Sequence, residues 1–282
     1  SLINIADPYD GFSRNLPSSI FILPVIAELG LSIVSHGVSS VGPKYGCTHH
    51  LTLKELGYNS NNGHQEIVER LENKDIGWAY ADQSMFNPKL HNLMSLRKQI
   101  IKRPVITTVE VLVKPVSSKN DMFFTGFVHK PYPPIYLELS RNAQFNSATV
   151  IRGTEGGIIP SLRQTGKVHF YHSAGEQDDS YDVTPDELGI VQSSRAVDIP
   201  EEITRKNTKD KIESKVDAVD IAKETIKSGI SALSGNDGPM LSCIQLGAAI
   251  ILQRATGDDL DNCSKEVLRV LKSGAALKRM KR

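Results

Sequence analysis

With 282 residues, 39% of them hydrophobic and 23% charged, the chain is long enough to bury one sizeable core and is composed like an ordinary globular protein, which excludes fibrous and disulfide-stapled classes. A formal net charge of +1 excludes a wholesale basic or acidic surface, so charge neither demands nor forbids a nucleic-acid partner. No apolar run approaches the ~18 residues of a membrane-spanning helix, and no signal peptide opens the chain. Cys47, Cys243 and Cys263 lack CxxC spacing and read as free thiols. The expectation is a protein of an intracellular, reducing compartment (cytoplasm or plastid) with no membrane partner. A strand-like run begins at residue 2, so a piece of a longer protein is also expected, with any targeting segment out of sight.

In chain order, residues 2–6 read as a strand, followed by the turn chemistry of Asp7-Pro8-Tyr9-Asp10-Gly11. A helix is predicted over 17–29, with Gly30 just past its end. Residues 31–34 are a short apolar run and predict a buried parallel strand. The loop after it holds Gly37, Gly42, Pro43 and Gly46, together with His36 and Lys44. Thr48 is placed to cap a helix that ends at Gly57. A glycine loop running into a helix leaves backbone N–H groups free for an anion, and Lys44 adds a point charge. An ordinary turn between strand and helix explains the same residues equally well.

Further along, 65–72 reads as helix, 76–81 as a buried strand and 86–102 as one helix stopped by Pro104. Residues 105–113 fit strand or helix. Strands are predicted over 122–128, 149–151 and 167–172, and a helix over 131–141. A second glycine loop follows at Gly153-Thr154-Glu155-Gly156-Gly157. Residues 173–182 read as acidic and flexible, and Thr184-Pro185-Asp186-Glu187 as a helix start. The end predicts helices over 216–227, 240–254 and 261–272, broken at Gly229, Gly257 and Gly274. His49-His50 and His169-x-x-His172 lack a third partner at zinc-like spacing. The cluster Asp258, Asp259 and Asp261 reads as a helix cap, and the basic end 278–282 as a solvated helix end. Strands alternating with helices predict an α/β fold, a mostly parallel sheet covered on both faces.

Several of these segments, taken together, resemble glycosyltransferase family 3, the group of anthranilate phosphoribosyltransferase and the pyrimidine nucleoside phosphorylases. The similar stretches are His36-Gly37-Val38-Ser39-Ser40 through Lys44 and Gly46, the run 78–90, Leu96-Arg97-Lys98 with Arg103, and Val150-Ile151-Arg152-Gly153-Thr154-Glu155-Gly156. Gln245-Leu246-Gly247-Ala248-Ala249 and Ser273-Gly274-Ala275-Ala276 complete the series. The anthranilate enzyme is the nearer relative. The resemblance implies phosphoribosyl transfer from phosphoribosyl pyrophosphate in tryptophan biosynthesis, magnesium if that transfer is retained, and a homodimer when full length. It also implies an α/β domain over 1–82 and 105–282, a helical-domain segment over 83–104, and an N-terminal helical domain missing from this sequence. Apolar residues of that segment, such as Leu90, Leu93 and Ile100, are then expected to be exposed.

The same resemblance exposes departures. Where the family has its GTGGDG pyrophosphate loop, this chain has Ala6-Asp7-Pro8-Tyr9-Asp10-Gly11. Pro8 lacks an N–H, Tyr9 adds a side chain, and Asp7 is expected to repel an anion. The family's metal carboxylates fall on Ile158 and Ile159, which cannot ligate magnesium. The candidate ligand-binding set is Asp10, Gly11, Asn15, His36, Gly37, Ser40, Lys44, Gly46, Arg97, Arg103, Arg152, Gly153 and Glu155, with Arg14, Arg163 and Lys167 nearby. Two functions compete. One is a phosphoribosyltransferase-like protein with degraded motifs, binding phosphoribosyl pyrophosphate or another anion. The other is a non-catalytic relative holding nucleic acid in a basic cleft, the branch that Tyr9-Asp10-Gly11 and Arg152-Gly153-Thr154-Glu155-Gly156 resemble more.

Overall fold

The computed structural model describes residues 1–100, 104–203, 205 and 213–282. Strands β1 (Leu2–Ala6), β2 (Ser32–Gly37), β3 (Trp78–Asp82), β4 (Asp121–Gly126) and β5 (Ser147–Ile151) are buried almost throughout. That is why their sequences run apolar instead of alternating. They pair in parallel, and β6 (Gly166–Tyr171) and β7 (Asp179–Val183) extend one edge antiparallel. The order β3-β2-β1-β4-β5-β6-β7 places β1 and β4 at the centre, where the winding direction reverses. The mostly parallel sheet expected from the sequence is therefore present.

Helix α1 (Ile22–Glu28) joins β1 to β2, and α2 (His49–Glu55) and α3 (His64–Glu72) join β2 to β3. After β3 come α4 (Gln83–Phe86), α5 (Pro88–His91), α6 (Met94–Gln99) and α7 (Ile106–Val109), and α8 (Tyr132–Asn142) joins β4 to β5. The chain ends with α9 (Ala218–Leu233), α10 (Pro239–Thr256), α11 (Leu260–Ser273) and α12 (Ala275–Met280). Successive strand residues point to opposite faces. Ile3, Ile5, Met122 and Phe124 thus enter one core with residues of α1, α9, α10, α11 and α12. On the other face Ala6, Phe123 and Val150 meet Tyr136 and Leu137 of α8, while Leu2, Val34 and Ala79 meet Ile67 and Leu71 of α3. Helices cover both faces.

The structure departs from the expectations at three places. The single helix over 86–102 is broken, because Asn87 precedes Pro88 and is held out of the helical region; its side chain instead caps α5 by accepting the Leu90 N–H. Leu93, Leu96 and Ile100 are exposed and Leu90 is half-buried, whereas Arg97 is buried. Of the two readings open for residues 105–113, the helical one holds over 106–112, α7 running into a short 3-10 turn. The acidic run read as flexible contains β7, whose charges face water on the sheet's edge while Lys167 of β6 pairs with Asp182. Finally, α9 runs straight through Gly229.

Gly229 is a packing glycine, not a helix breaker. A Cβ there would lie 2.0 Å from the ring of Phe21, itself fully buried. In an exposed helix Gly229→Ala would gain about 1 kcal/mol of helix propensity. Here the expected outcome is a net loss of about 1–3 kcal/mol from overpacking, read as a lower urea midpoint at unchanged slope. A midpoint at or above that of the native chain would show that Phe21 yields freely.

Candidate functional site

The loops at the carboxyl ends of β1, β4 and β5 enclose a cleft of about 1040 Å³, with Lys44 of the β2 loop at its wall. Its position, where the strand order reverses between β1 and β4, is where ligands bind in open α/β sheets. Lys44 of the first glycine loop and residues 152–156 around the second line this one cleft.

The β1 loop is fixed from below. Asp7 is buried and does not line the cleft. Its carboxylate accepts the Ser19 hydroxyl and the Ile158 N–H (3.0 Å), and stands 3.0 Å from Nε2 of His49. His49 in turn bonds Ser35 through Nδ1 at 2.7 Å. Burial alone would raise the Asp7 pKa, but the bond and charge of His49, with Ser19 and Ile158, together hold it below the ordinary value. The repulsion expected of Asp7 is thus corrected: its charge is turned into the protein and compensated there.

Gly11 and Gly46 act through backbone packing. Phe12 and Cys47 exchange N–H···O bonds of 2.8 Å, and a Cβ on either glycine would lie within 2.6 Å of the opposing loop's backbone. Neither glycine lines the cleft. Gly37 and Ser40 also stand outside it, the former against the Tyr80 hydroxyl and the latter exposed to solvent. His36 is buried beneath the β1 loop. Burial, reinforced by His49, lowers its pKa to about 3, so the ring is neutral, and Nδ1 shares a hydrogen bond of 2.6 Å with the Tyr9 hydroxyl. Burial, Glu110 and Asp82 push Tyr9 well above the usual tyrosine range, so it keeps its proton.

Asp10, Asn15, Lys44, Arg97, Arg152, Gly153 and Glu155 do line the cleft. Lys44 is buried between two carboxylates, 3.5 Å from Asp10 and 3.7 Å from Glu155. Arg97 is paired with buried Glu110 at 2.6 Å. The Glu155 carboxylate accepts three consecutive backbone N–H groups, those of Ser13 (3.1 Å), Arg14 (2.8 Å) and Asn15 (3.0 Å), and the Ser13 hydroxyl at 3.2 Å. At the rim Arg14, Arg152 and Arg195 are exposed. Arg103 lies outside the described residues. Arg163 bonds the Ser193 carbonyl and Lys167 pairs with Asp182, neither lining the cleft.

Sequence reading missed Arg195 and Glu110 as wall residues. Arg195 sits in an irregular loop without periodic signal, and Glu110 lay in a segment of ambiguous period. His50 is also buried, 2.8 Å from Asp82, and among the described residues no group of three His, Cys, Asp or Glu side chains could hold a metal ion. A magnesium site of the kind the resemblance implies does not fit these residues. Ile158 and Ile159 are part of the hydrophobic core, Ile159 filling the space a Cβ on Gly247 would need. The cleft carboxylates already face Lys44 and Arg97.

No family model matches the chain. It is 31% identical over 156 residues to an uncharacterized protein of Aquifex aeolicus, covering 54% of this chain and 43% of that one. It is 24% identical over 254 residues to the anthranilate phosphoribosyltransferase of the same organism, covering 90% of this chain and 67% of the enzyme. The chain therefore spans less than half of one relative and about two thirds of the other. In three dimensions it superposes with a TM-score of 0.73 on the anthranilate phosphoribosyltransferase of Saccharomyces cerevisiae in complex with PRPP and Mg, at 15% identity, covering 99% of this chain and 71% of that one. The chain is similar in sequence to anthranilate phosphoribosyltransferase and shares its fold.

The buried Asp7 carboxylate also makes a prediction about acid stability. Its lowered pKa means that its contribution is complete above its ordinary value of 3.8 and is lost as pH falls through the folded value. Denaturant unfolding between pH 2.5 and 6, a window set on the order of that ordinary value, should show native stability dropping steeply below pH ~4. Asp7→Asn should be less stable at neutral pH by about 3 kcal/mol and flatter across the acid limb. Parallel acid limbs for the two proteins would assign the loss to other carboxylates.

Proposed function

We propose that this chain binds a phosphate-bearing ligand in the cleft, phosphoribosyl pyrophosphate being the first choice, and that it transfers phosphoribosyl to anthranilate very weakly or not at all. The ligand half of the reading rests on the cationic rim of Arg14, Arg152 and Arg195 around a cleft at the fold's usual ligand position. The yeast relative holds phosphoribosyl pyrophosphate and magnesium in the same fold.

The observation that carries the catalytic half is the burial of Ile158 and Ile159 in the core, where the resemblance puts the family's metal carboxylates. Transfer from phosphoribosyl pyrophosphate needs the departing pyrophosphate to be stabilised as it takes up charge. Donors aimed at developing charge are worth about 3–4 kcal/mol each. Here Lys44 is engaged by Asp10 and Glu155, Pro8 offers no N–H, and the loop amides of residues 13–15 are already bonded to Glu155. Two such losses lower the rate by roughly four to six powers of ten. Ile158→Asp with Ile159→Glu would not restore activity, since it puts two unpaired carboxylates into the core.

A second reading, a non-catalytic relative that holds single-stranded nucleic acid, is favoured by the exposure of the three rim arginines, which suits a backbone of phosphodiesters. Calorimetry with phosphoribosyl pyrophosphate, with and without magnesium, beside a labelled oligonucleotide at two salt concentrations, separates the readings. We expect phosphoribosyl pyrophosphate to bind with little dependence on magnesium and anthranilate turnover to be undetectable. Turnover at the 1–1,000 per second typical of enzymes, on the order of magnitude expected for intact sites, would overturn the catalytic half. Oligonucleotide binding with a steep salt slope, and no binding of phosphoribosyl pyrophosphate, would replace the first reading by the second.

A further inference from the structure

We propose that Glu155 is a built-in competitor anion: its carboxylate occupies a phosphate-sized nest of loop amides and must be displaced before an outside phosphate group can bind there. The inference rests on the ligand reading above and adds to it a residue that opposes binding.

The geometry is that of an oxyanion site with the anion supplied from within. Three successive N–H groups, of Ser13, Arg14 and Asn15, converge on one carboxylate with the Ser13 hydroxyl, at 2.8 to 3.2 Å. Concave runs of backbone N–H groups bind phosphate in many proteins. The carboxylate comes from the far glycine loop, more than a hundred residues along the chain. It reaches the nest from a left-handed backbone, φ +53°, a conformation costing a non-glycine residue about 1–3 kcal/mol.

Three features make the plug exchangeable. The nest lines the open cleft, so an incoming group needs no passage through the core. Lys44, 3.7 Å from the carboxylate, stays in place to meet any anion that replaces it. Release of Glu155 also lets its backbone leave the left-handed region. A carboxylate offers two oxygens and one charge, whereas a terminal phosphate offers three oxygens and up to two charges. The competitor best able to displace Glu155 is therefore a phosphate monoester or diphosphate, not a phosphodiester.

The test uses the whole chain with inorganic pyrophosphate as probe, followed by calorimetry and by the amide resonances of Ser13, Arg14 and Asn15. Glu155→Gln keeps the side chain's shape without its charge. Glu155→Gly removes it and suits the left-handed backbone, which guards against a variant that fails to fold. Both should bind pyrophosphate on the order of tenfold more tightly than the native chain, a charge-assisted bond's worth of competition removed. The three amides should shift on titration in all three proteins. Equal or weaker affinity in folded variants would make Glu155 a structural latch and overturn the inference, leaving the cleft's ligand reading intact. No binding by any of the three proteins would overturn both. An oligonucleotide that shifts the same amides more strongly than pyrophosphate would overturn the choice of a monoester or diphosphate.

Discussion

A carboxylate removed from water is tolerable only where several donors converge on it, and Asp7 meets that condition by drawing four segments together. Its partners come from the approach to α1 (Ser19), the first turn of α2 (His49) and the loop after β5 (Ile158), while Asp7 itself ends the central strand. Ser35 of β2 holds the other nitrogen of His49, so the neighbouring strand is tied in as well. Every wall of the cleft that comes from the β1 and β5 loops is positioned relative to this buried group. Breaking one partner leaves the others uncompensated in a region without water, which is why such a cluster acts as a unit.

From that knot the chemistry of the cleft follows in order. With Asp7 turned down and Ile158 donating to it, the β5 loop is held close beneath the β1 loop. Gly153 allows the tight turn, since a Cβ there would lie 1.6 Å from the Gly157 carbonyl oxygen. Glu155 is then carried up to the amides of residues 13–15, and Lys44 settles between it and Asp10. Each interior charge of the wall is met by an opposite one, and uncommitted positive charge is left to the exposed rim of Arg14, Arg152 and Arg195. The cleft thus attracts anions at its mouth and resists them at its floor.

Much of the fold was legible in the sequence because strands buried on both faces and helices with ordinary caps announce themselves locally. Thr48 does accept the Leu51 N–H, and Asp259 does cap α11. What was not legible depends on contacts between distant residues. Gly229 looks like a break until Phe21 is seen against it, and Asp7 looks like a repelling charge until His49 is seen beneath it. The acidic run holding β7 hides its strand because only Tyr181 and Val183 of this edge strand turn to the core while Asp179 and Asp182 face water. Of the candidate site residues, Asp10, Lys44, Arg97, Arg152 and Glu155 line the cleft with Asn15 and Gly153, whereas Gly11, Gly37, Gly46, Ser40 and His36 do not. The sequence pattern of these glycines and His36 serves loop packing and burial here, and pattern alone does not tell a glycine that admits a ligand from one that admits a neighbouring backbone.

A carboxylate at position 158 or 159 would enter a packed core, not an open loop. Ile158 and Ile159 do not lie on a loop surface. Ile159 occupies space opened by Gly247 on the central helix α10, against which Ile22 also packs, so a larger residue at 247 and a carboxylate at 159 would each meet a filled core. Ile158 is 1% exposed and its own N–H is committed to Asp7. The burial of these two isoleucines, the inward turn of Asp7 and the bonding of Glu155 to the loop amides are therefore parts of one packing arrangement. In such an arrangement substitutions at the separate positions are coupled, not additive. A loop without these contacts would stand open; this one is closed by its own side chains.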